Sequence, residues 1–330
     1  MPQAGCPHQC VFCNQRAITG ERKARPQINE LTEFISTFLT YKHRNAQDVQ
    51  LSFYGGNFLG LPKKDLIQLL ELAQSFVIKK KVDSIRCSTR PDTISLSRLQ
   101  LLENYDIKTI EIGVQSMDNN VLNLSQRGHT SETTIQATKL LKSSGYIVGH
   151  QLMLGLPGET EHSFKQTVRQ IIDMQPDFVR LYPTVVLKGS LLADWYTSGR
   201  YHPLSLEKAV ALAKKALMLF QANNIPIIRM GLHSQENLKE NILTGPFHPS
   251  FGHMVYSEQM LDKVCEKINA SQSNMISILA NEKDMSVLTG IKQTNIKKIR
   301  SKFPDKQISI VSDPGIKNIC IFEHLMSKGG

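Results

Sequence analysis

Residues 131–174, SETTIQATKLLKSSGYIVGHQLMLGLPGETEHSFKQTVRQIIDM, contain the repeating unit that decides the fold. A helix over Ser131–Ser144 stops at Gly145, a residue suited to a left-handed helix cap. The apolar run Ile147–Leu154 reads as a strand and breaks at Gly155-Leu156-Pro157-Gly158. A second helix covers Glu161–Met174. Helix, strand, turn and helix in this order form the unit of a parallel α/β sheet.

The same alternation extends outward on both sides. Toward the N-terminus lie strands at Thr109–Val114, Ser84–Ser88 and Val49–Tyr54. Helices separate them at Ser95–Glu103 and from Pro62 through Leu66, Leu69, Leu70 and Ala73. A further helix, capped by Asn29, runs through Leu31, Phe34, Ile35 and Phe38. Toward the C-terminus come a strand at Phe178–Pro183, a long loop, a helix at Ser205–Asn223 and a strand at Ile225–Met230. The expectation is an α/β fold, a partial (β/α) TIM-like barrel over residues 1–231. Polar and glycine-rich residues cluster at the strand ends, the edge that carries active sites in such barrels.

Residues 232–256, rich in His, Gly, Pro and Phe, read as an extended connection. Residues 257–330 read as a small basic α+β domain. It has a helix near Glu258–Asn269, a strand Met275–Leu279, a helix near Asn295–Lys302, and strands Ile308–Val311 and Asn318–Phe322.

The chain has 330 residues and a formal net charge of +10, a balance that favours acidic partners, nucleic acid above all. No apolar run is long enough to span a membrane, so no membrane partner is expected. The absence of a targeting segment and the need for free thiols point to the reducing cytoplasm.

Those thiols belong to Gly5-Cys6-Pro7-His8-Gln9-Cys10-Val11-Phe12-Cys13-Asn14-Gln15. Three thiolates spaced C-x3-C-x2-C can wrap one iron–sulfur cluster without completing it. A [4Fe–4S] cluster then keeps one iron free for a small molecule. Phe12 fits a wall for a planar base. A disulfide framework is disfavoured by the length of the chain. A structural zinc site wants four ligands, usually in two pairs, and His8 sits awkwardly inside the loop. Only five residues precede Cys6, so the barrel is expected to lack its first strand, leaving Cys6 the least anchored ligand. Cys87, Cys265 and Cys320 lie in or beside apolar segments and read as small buried hydrophobes.

Together these motifs resemble the radical S-adenosylmethionine (SAM) superfamily. Within it, the chain is similar to the radical domain of the Elongator catalytic subunit and its bacterial relatives. The likeness covers roughly residues 5–230. It rests on the cysteine loop, Tyr54-Gly55-Gly56-Asn57-Phe58, Ser88-Thr89-Arg90-Pro91-Asp92 and Glu111-Ile112-Gly113-Val114-Gln115-Ser116. It continues through Arg127-Gly128-His129-Thr130, Leu154-Gly155-Leu156-Pro157-Gly158 and Arg180-Leu181-Tyr182-Pro183-Thr184.

The resemblance implies a fold of the radical SAM type and two cofactors, a [4Fe–4S] cluster and SAM. One electron, delivered by a donor such as flavodoxin or ferredoxin, breaks a sulfur–carbon bond of SAM. The 5′-deoxyadenosyl radical so formed takes a hydrogen atom from substrate. Residue roles follow from the same likeness. Cys6, Cys10 and Cys13 hold the cluster. Gly55 and Gly56 admit the methionine part of SAM, and Asn57 presents a carbonyl to its ammonium. Arg127 faces the SAM carboxylate, and Gln115 contacts the ribose. Arg90, Tyr182 and Lys188 line the substrate mouth. Glu111 reads as part of a polar network at the barrel rim rather than as a catalytic group.

The Elongator subunit modifies wobble uridine in tRNA and adds an acetyltransferase domain. No Gly-rich acetyl-CoA loop follows residue 231, so that half of the activity is not expected here. The run from Leu288 to Ile299 has a spacing like the KH RNA-binding loop, with Gln293 where the second glycine would stand. Lys292, Lys297 and Lys298, with Arg300, Lys302 and Lys306, form a basic surface for phosphates. Three functions remain open: a radical SAM enzyme acting on tRNA, one acting on a small molecule as coproporphyrinogen oxidases do, and a non-catalytic cluster protein that binds RNA or senses.

Overall fold

The structure, a computed structural model, describes residues 5–14, 27–41, 48–233, 236–316 and 320–323. The chain divides into two compact units, residues 1–209 with 216–249, and residues 250–330 with 210–215.

The first unit begins with α1 (Ile28–Thr40), β1 (Gln50–Phe53), α2 (Lys63–Ile78), β2 (Ser84–Thr89), α3 (Leu96–Gln100) and β3 (Ile107–Gln115). It continues through α4 (Asn119–Leu124), α5 (Ser131–Ser143), β4 (Ile147–Leu154), α6 (Glu161–Met174), β5 (Phe178–Pro183), β6 (Val186–Leu187) and α7 (Leu191–Thr197). It ends with α8 (Leu206–Ala222), β7 (Ile227–Met230), α9 (Glu236–Asn241) and β8 (Ile242–Thr244). Strands β1, β2, β3, β4, β5 and β7 form one sheet in that order, and every pairing is parallel. This is the expected partial barrel.

Central β3 is buried along nearly its whole length, with Ile110, Ile112 and Val114 fully enclosed. Burial on both faces is what helices on each side of a parallel sheet impose. The helix starts are set by hydroxyl caps. Thr130 accepts from the Thr133 amide and Thr160 from the Ser163 amide, so both orphaned first turns are satisfied. Helix α1 starts at Ile28, one residue before Asn29, and its cap is Gln27, whose amide donates to Glu30.

The stretch read as an extended connection carries α9 and β8 at residues 236–244, and β8 pairs antiparallel with β6. Leu238 packs there against Val185 and Leu187.

The second unit contains α10 (Phe251–Ala270), β9 (Met275–Ala280), α11 (Glu282–Thr289), α12 (Thr294–Lys302), β10 (Gln307–Ser312) and β11 (Cys320–Glu323). Helix α10 begins well before the expected Glu258. Strand β9 is central, parallel to β10 and antiparallel to β11. Val264, Ile268, Ile278, Leu288 and Ile299 form its core. Residues 318 and 319 of the expected last strand lie outside the described residues.

Candidate functional site

The cysteine loop is held by backbone on one side and by a buried amide on the other. Val11 is fully buried; its amide donates to the Ser125 carbonyl and its own carbonyl accepts from the Leu192 amide. At the other end, the Asn57 side chain donates to the Gly5 carbonyl at 2.8 Å. Its Oδ1 accepts from Thr89 Oγ1 at 2.7 Å, the Arg90 amide at 3.0 Å and Thr93 Oγ1 at 2.9 Å. Asn57 is therefore not a SAM contact. It is fully buried and its acceptor is saturated, so it clamps the loop to the ends of β1 and β2. The same clamp sits one residue before Cys6, the ligand expected to be least anchored. Gly5 has φ +72°, and a Cβ there would lie 2.2 Å from the Asn57 carbonyl. Glycine is required on both counts.

Two guanidinium groups meet the loop. Arg127 donates to the buried Cys10 thiol at 3.0 Å and to the Gly113 carbonyl. Arg90 lies 4.0 Å from the same sulfur, is paired with Asp92 at 2.9 and 3.0 Å, and donates to the Arg127 carbonyl. Arg90 thus braces the loop, and it lines the same cavity as the three cysteines. His129 beside them is held neutral, its pKa lowered to about 3 by burial, then by Arg127 and Arg90. The ring of His8 lies on Gly128, where a Cβ would come within 2.4 Å of it.

A cavity of about 960 Å³ opens at the C-terminal ends of the strands. Cys6, Cys10, Cys13, Phe12, Gly55, Gly56, Gln115 and Arg127 all line it. Its volume is in the upper part of the range for ligand sites. Gly55 has φ +93° and exposes backbone at the tip of β1. Gln115 sits at a bulge, where β3 slips register against β4, and its φ is +68°. Bulges re-aim side chains beside active sites. Gly113 leaves the space this needs, since a Cβ there would lie 3.0 Å from the Gln115 amide nitrogen. Gln115 Oε1 and Arg127 Nε are buried without hydrogen-bond partners. Such atoms are costly to leave unpaired and mark a place for a polar ligand.

Among the described residues, no three Cys, His, Asp or Glu side chains converge closely enough to grip a metal ion. The three thiols share the cavity without closing on one centre. Thiolate sites are commonly drawn together by the metal they bind. The sulfur donors, the paired guanidinium groups and the orphaned polar atoms fit an anionic cluster with a polar, carboxylate-bearing ligand.

The floor of the cavity is a polar network that the sequence indicated only through Glu111. Glu111 is fully buried and pairs with Arg86 and, at 2.9 Å, with Arg180. It also accepts from Tyr54 at 2.5 Å and Gln151 at 2.7 Å. Burial and the Glu111 charge push the Tyr54 pKa up, so its phenol keeps its proton. Arg180, Gln151, Tyr182, Leu232, His233 and Leu238 line this end. The last three come from the stretch read as a connection. Lys188 does not reach the cavity: it is exposed, and its ammonium donates to the Glu240 carbonyl at 2.7 Å.

In the second unit, Gly290, Lys292 and Gln293 all take positive φ, +72°, +51° and +61°, and turn α11 into α12. Lys292 and Lys297 are exposed. Lys298 pairs with Glu258, and Lys306 donates to the Ser271 and Ser273 carbonyls, so the basic surface is smaller than the sequence suggested.

The sequence profile of the radical SAM superfamily matches residues 1–171, and that of a radical SAM C-terminal domain matches residues 176–262. A tRNA uridine(34) acetyltransferase of Methanocaldococcus jannaschii is 36% identical over 259 residues, covering 64% of this chain and 46% of that protein. Elongator complex protein 3 of Mus musculus is 32% identical over 262 residues, covering 65% of this chain and 47% of that protein. The matched stretch thus spans about half the length of these relatives. The solved archaeal Elp3 of Methanocaldococcus infernus, lacking its N-terminus, superposes with a TM-score of 0.60 at 26% identity. It covers 72% of this chain and 59% of that one. Among the described residues, no helix is long and apolar enough to cross a membrane.

Proposed function

The chain belongs to the radical SAM superfamily of enzymes, whose members work with a [4Fe–4S] cluster and SAM, and from that premise we propose that it cleaves SAM reductively to modify tRNA. One observation carries the reading: Cys6, Cys10, Cys13, Gln115 and Arg127 all line one cavity of about 960 Å³. Cys6, Cys10 and Cys13 hold the cluster as thiolates. When bound, the cluster supplies the electron that splits SAM into methionine and a 5′-deoxyadenosyl radical, which takes a hydrogen atom from substrate.

The residues of this chain bind, orient and exclude water. Gly55 and Gly56 let the methionine part approach the backbone. Arg127, which lines the cavity, offers its guanidinium charge to the SAM carboxylate. Gln115 accepts from a ribose hydroxyl, and Phe12 walls the base. Arg90 keeps Arg127 and the loop in register. Tyr182, with Arg180 and Gln151, shapes the substrate end.

Support for tRNA comes from relatives named as tRNA-modifying enzymes, the net charge of +10 and the exposed Lys292 and Lys297. Acetyl transfer is not carried over from those relatives. The electron comes from a flavodoxin or ferredoxin in the cytoplasm. The test is anaerobic reconstitution with SAM and reductant, following 5′-deoxyadenosine with and without bulk tRNA. Release stimulated by tRNA supports the reading. Release indifferent to tRNA favours a small substrate, and no release from a cluster-loaded chain sinks the enzymatic reading.

A further inference from the structure

A second cavity, of about 250 Å³, lies beside the turn that follows β4, and no residue lines both cavities. Glu159 lines it from inside that turn. Its Oε2 accepts from the Gly155 amide at 2.6 Å, while Oε1 is shielded from solvent and has no hydrogen-bond partner. Burial raises its pKa to about 8 against the pull of the Gly155 and Leu156 amides. Burial thus favours the uncharged acid, which can donate or accept. The Arg200 guanidinium carbon lies over the Trp195 ring, 3.9 Å from its centre, and exposed His202 lines the same pit. Leu204 and Leu124 form the walls. They fit only because the turn residues are glycines: a Cβ on Gly155 would lie 2.9 Å from Leu204, and one on Gly158 2.5 Å from Leu124.

The pit is tied to the back of the cysteine loop. Tyr201 donates to the Gly155 carbonyl at 2.6 Å and packs, with Trp195, in the apolar cluster that contains Val11. A ligand seated in the pit thus touches the elements that hold the loop.

We infer that this pit takes one nucleobase of the bound RNA, distinct from the residue that enters the large cavity, stacked on the Trp195–Arg200 pair and hydrogen-bonded by Glu159. The volume suits a single ring system. Unstacked bases rest on aromatic rings and guanidinium groups, and a single buried polar group is enough to read a base edge. Arg200 and His202 at the rim meet the adjoining phosphates. The inference rests on the tRNA reading proposed above.

Trp195 is the sole tryptophan of the chain, so its fluorescence reports on the pit directly. The cluster-loaded full chain is titrated with bulk tRNA at several salt concentrations, following both filter-retained complex and Trp195 emission. Emission should change in step with complex formation. Arg200→Ala, at an exposed position, and Glu159→Met should each weaken binding about tenfold. Glu159→Gln, which keeps the bond to Gly155 and the polar edge, should stay within about twofold of the parent, and both Glu159 variants should keep its salt slope. If tRNA binds while Trp195 emission does not move and Arg200→Ala binds as the parent does, the pit is not a base site, and the tRNA reading survives. If no tRNA complex forms even at low salt, the tRNA reading falls, and this inference falls with it.

Discussion

The Arg127 guanidinium lies 3.0 Å from the Cys10 thiol and reaches the Gly113 carbonyl beside the bulge of β3. One side chain therefore joins the cluster loop to the strand that presents Gln115. A planar fork can serve sulfur, carbonyl and carboxylate at once, which a lysine cannot. Arg127→Met should lower SAM affinity tenfold or more in the reconstituted chain, and Arg127→Lys should recover only part of it. Equilibrium binding of SAM, with iron per chain measured alongside, decides the matter. Parent-like affinity in the methionine variant would remove Arg127 from the site.

Asn57 makes a different kind of contribution. Its amide ties Gly5 to Thr89, Arg90 and Thr93 in a fully buried position. Asn57→Ala strands several buried partners at once and should cost about 2–4 kcal/mol of stability. The denaturant midpoint should fall and the iron retained per chain should drop with it. Gly5→Ala, which puts a methyl 2.2 Å from the Asn57 carbonyl, should lose iron with a smaller effect on the midpoint. If both variants hold iron like the parent, the clamp does not matter to the loop.

These two residues show what the sequence could reveal and what it could not. Helix α6 and strand β5 lie where periodicity and turn residues place them, because a run of apolar residues and a hydroxyl cap are local signals. The cysteines and Gly55 are legible for the same reason. Asn57 is not: whether an amide faces a ligand or a carbonyl 52 positions away depends on the tertiary fold. Strand β8 was missed because a three-residue strand has no period to read, and its pairing with β6 crosses more than fifty residues. Lys188 follows the two-residue β6, whose Val186 and Leu187 are both buried, so alternation sets no face for it. Alternation assigns the faces of a long strand far more securely than those of a two-residue one.

Glu111 is wholly buried between Arg86 and Arg180. Removing it leaves two guanidinium groups without their counter-charge in a low-dielectric setting. Glu111→Ala should cost about 3–5 kcal/mol. Glu111→Gln keeps the shape and the Tyr54 contact and should cost less. Urea unfolding at neutral pH measures both. A loss under 1 kcal/mol for the alanine variant would mean water already reaches the network.

The pH dependence of stability should show the buried histidines. His150 is fully enclosed against Thr138, with Oγ1 3.0 Å from Nε2. Burial, and then Lys142, lower its pKa to about 3. Below pH 6.5 the unfolded chain takes up a proton that the folded chain refuses until about pH 3. Its contribution is thus complete above 6.5 and is lost as the pH falls through that window. Between pH 7 and 5 the loss from this residue is about 2 kcal/mol. Comparing the parent with His150→Gln at the two pH values isolates it, and an unchanged difference would show that His150 titrates normally.

The lysines of the second unit separate by their partners. Lys292 and Lys297 are exposed, whereas Lys298 is paired with Glu258. A lysine that meets a phosphate releases counterions, so its loss lowers the slope of log affinity against log salt by about one. Lys292→Ala and Lys297→Ala should each do this and weaken tRNA binding at low salt. Lys298→Ala should have the smaller effect, because its charge already has a neighbour. Glu258→Gln frees that ammonium and should strengthen binding instead. Filter binding across a salt series tests all four. Equal slopes in every variant would place the RNA contact elsewhere on the chain.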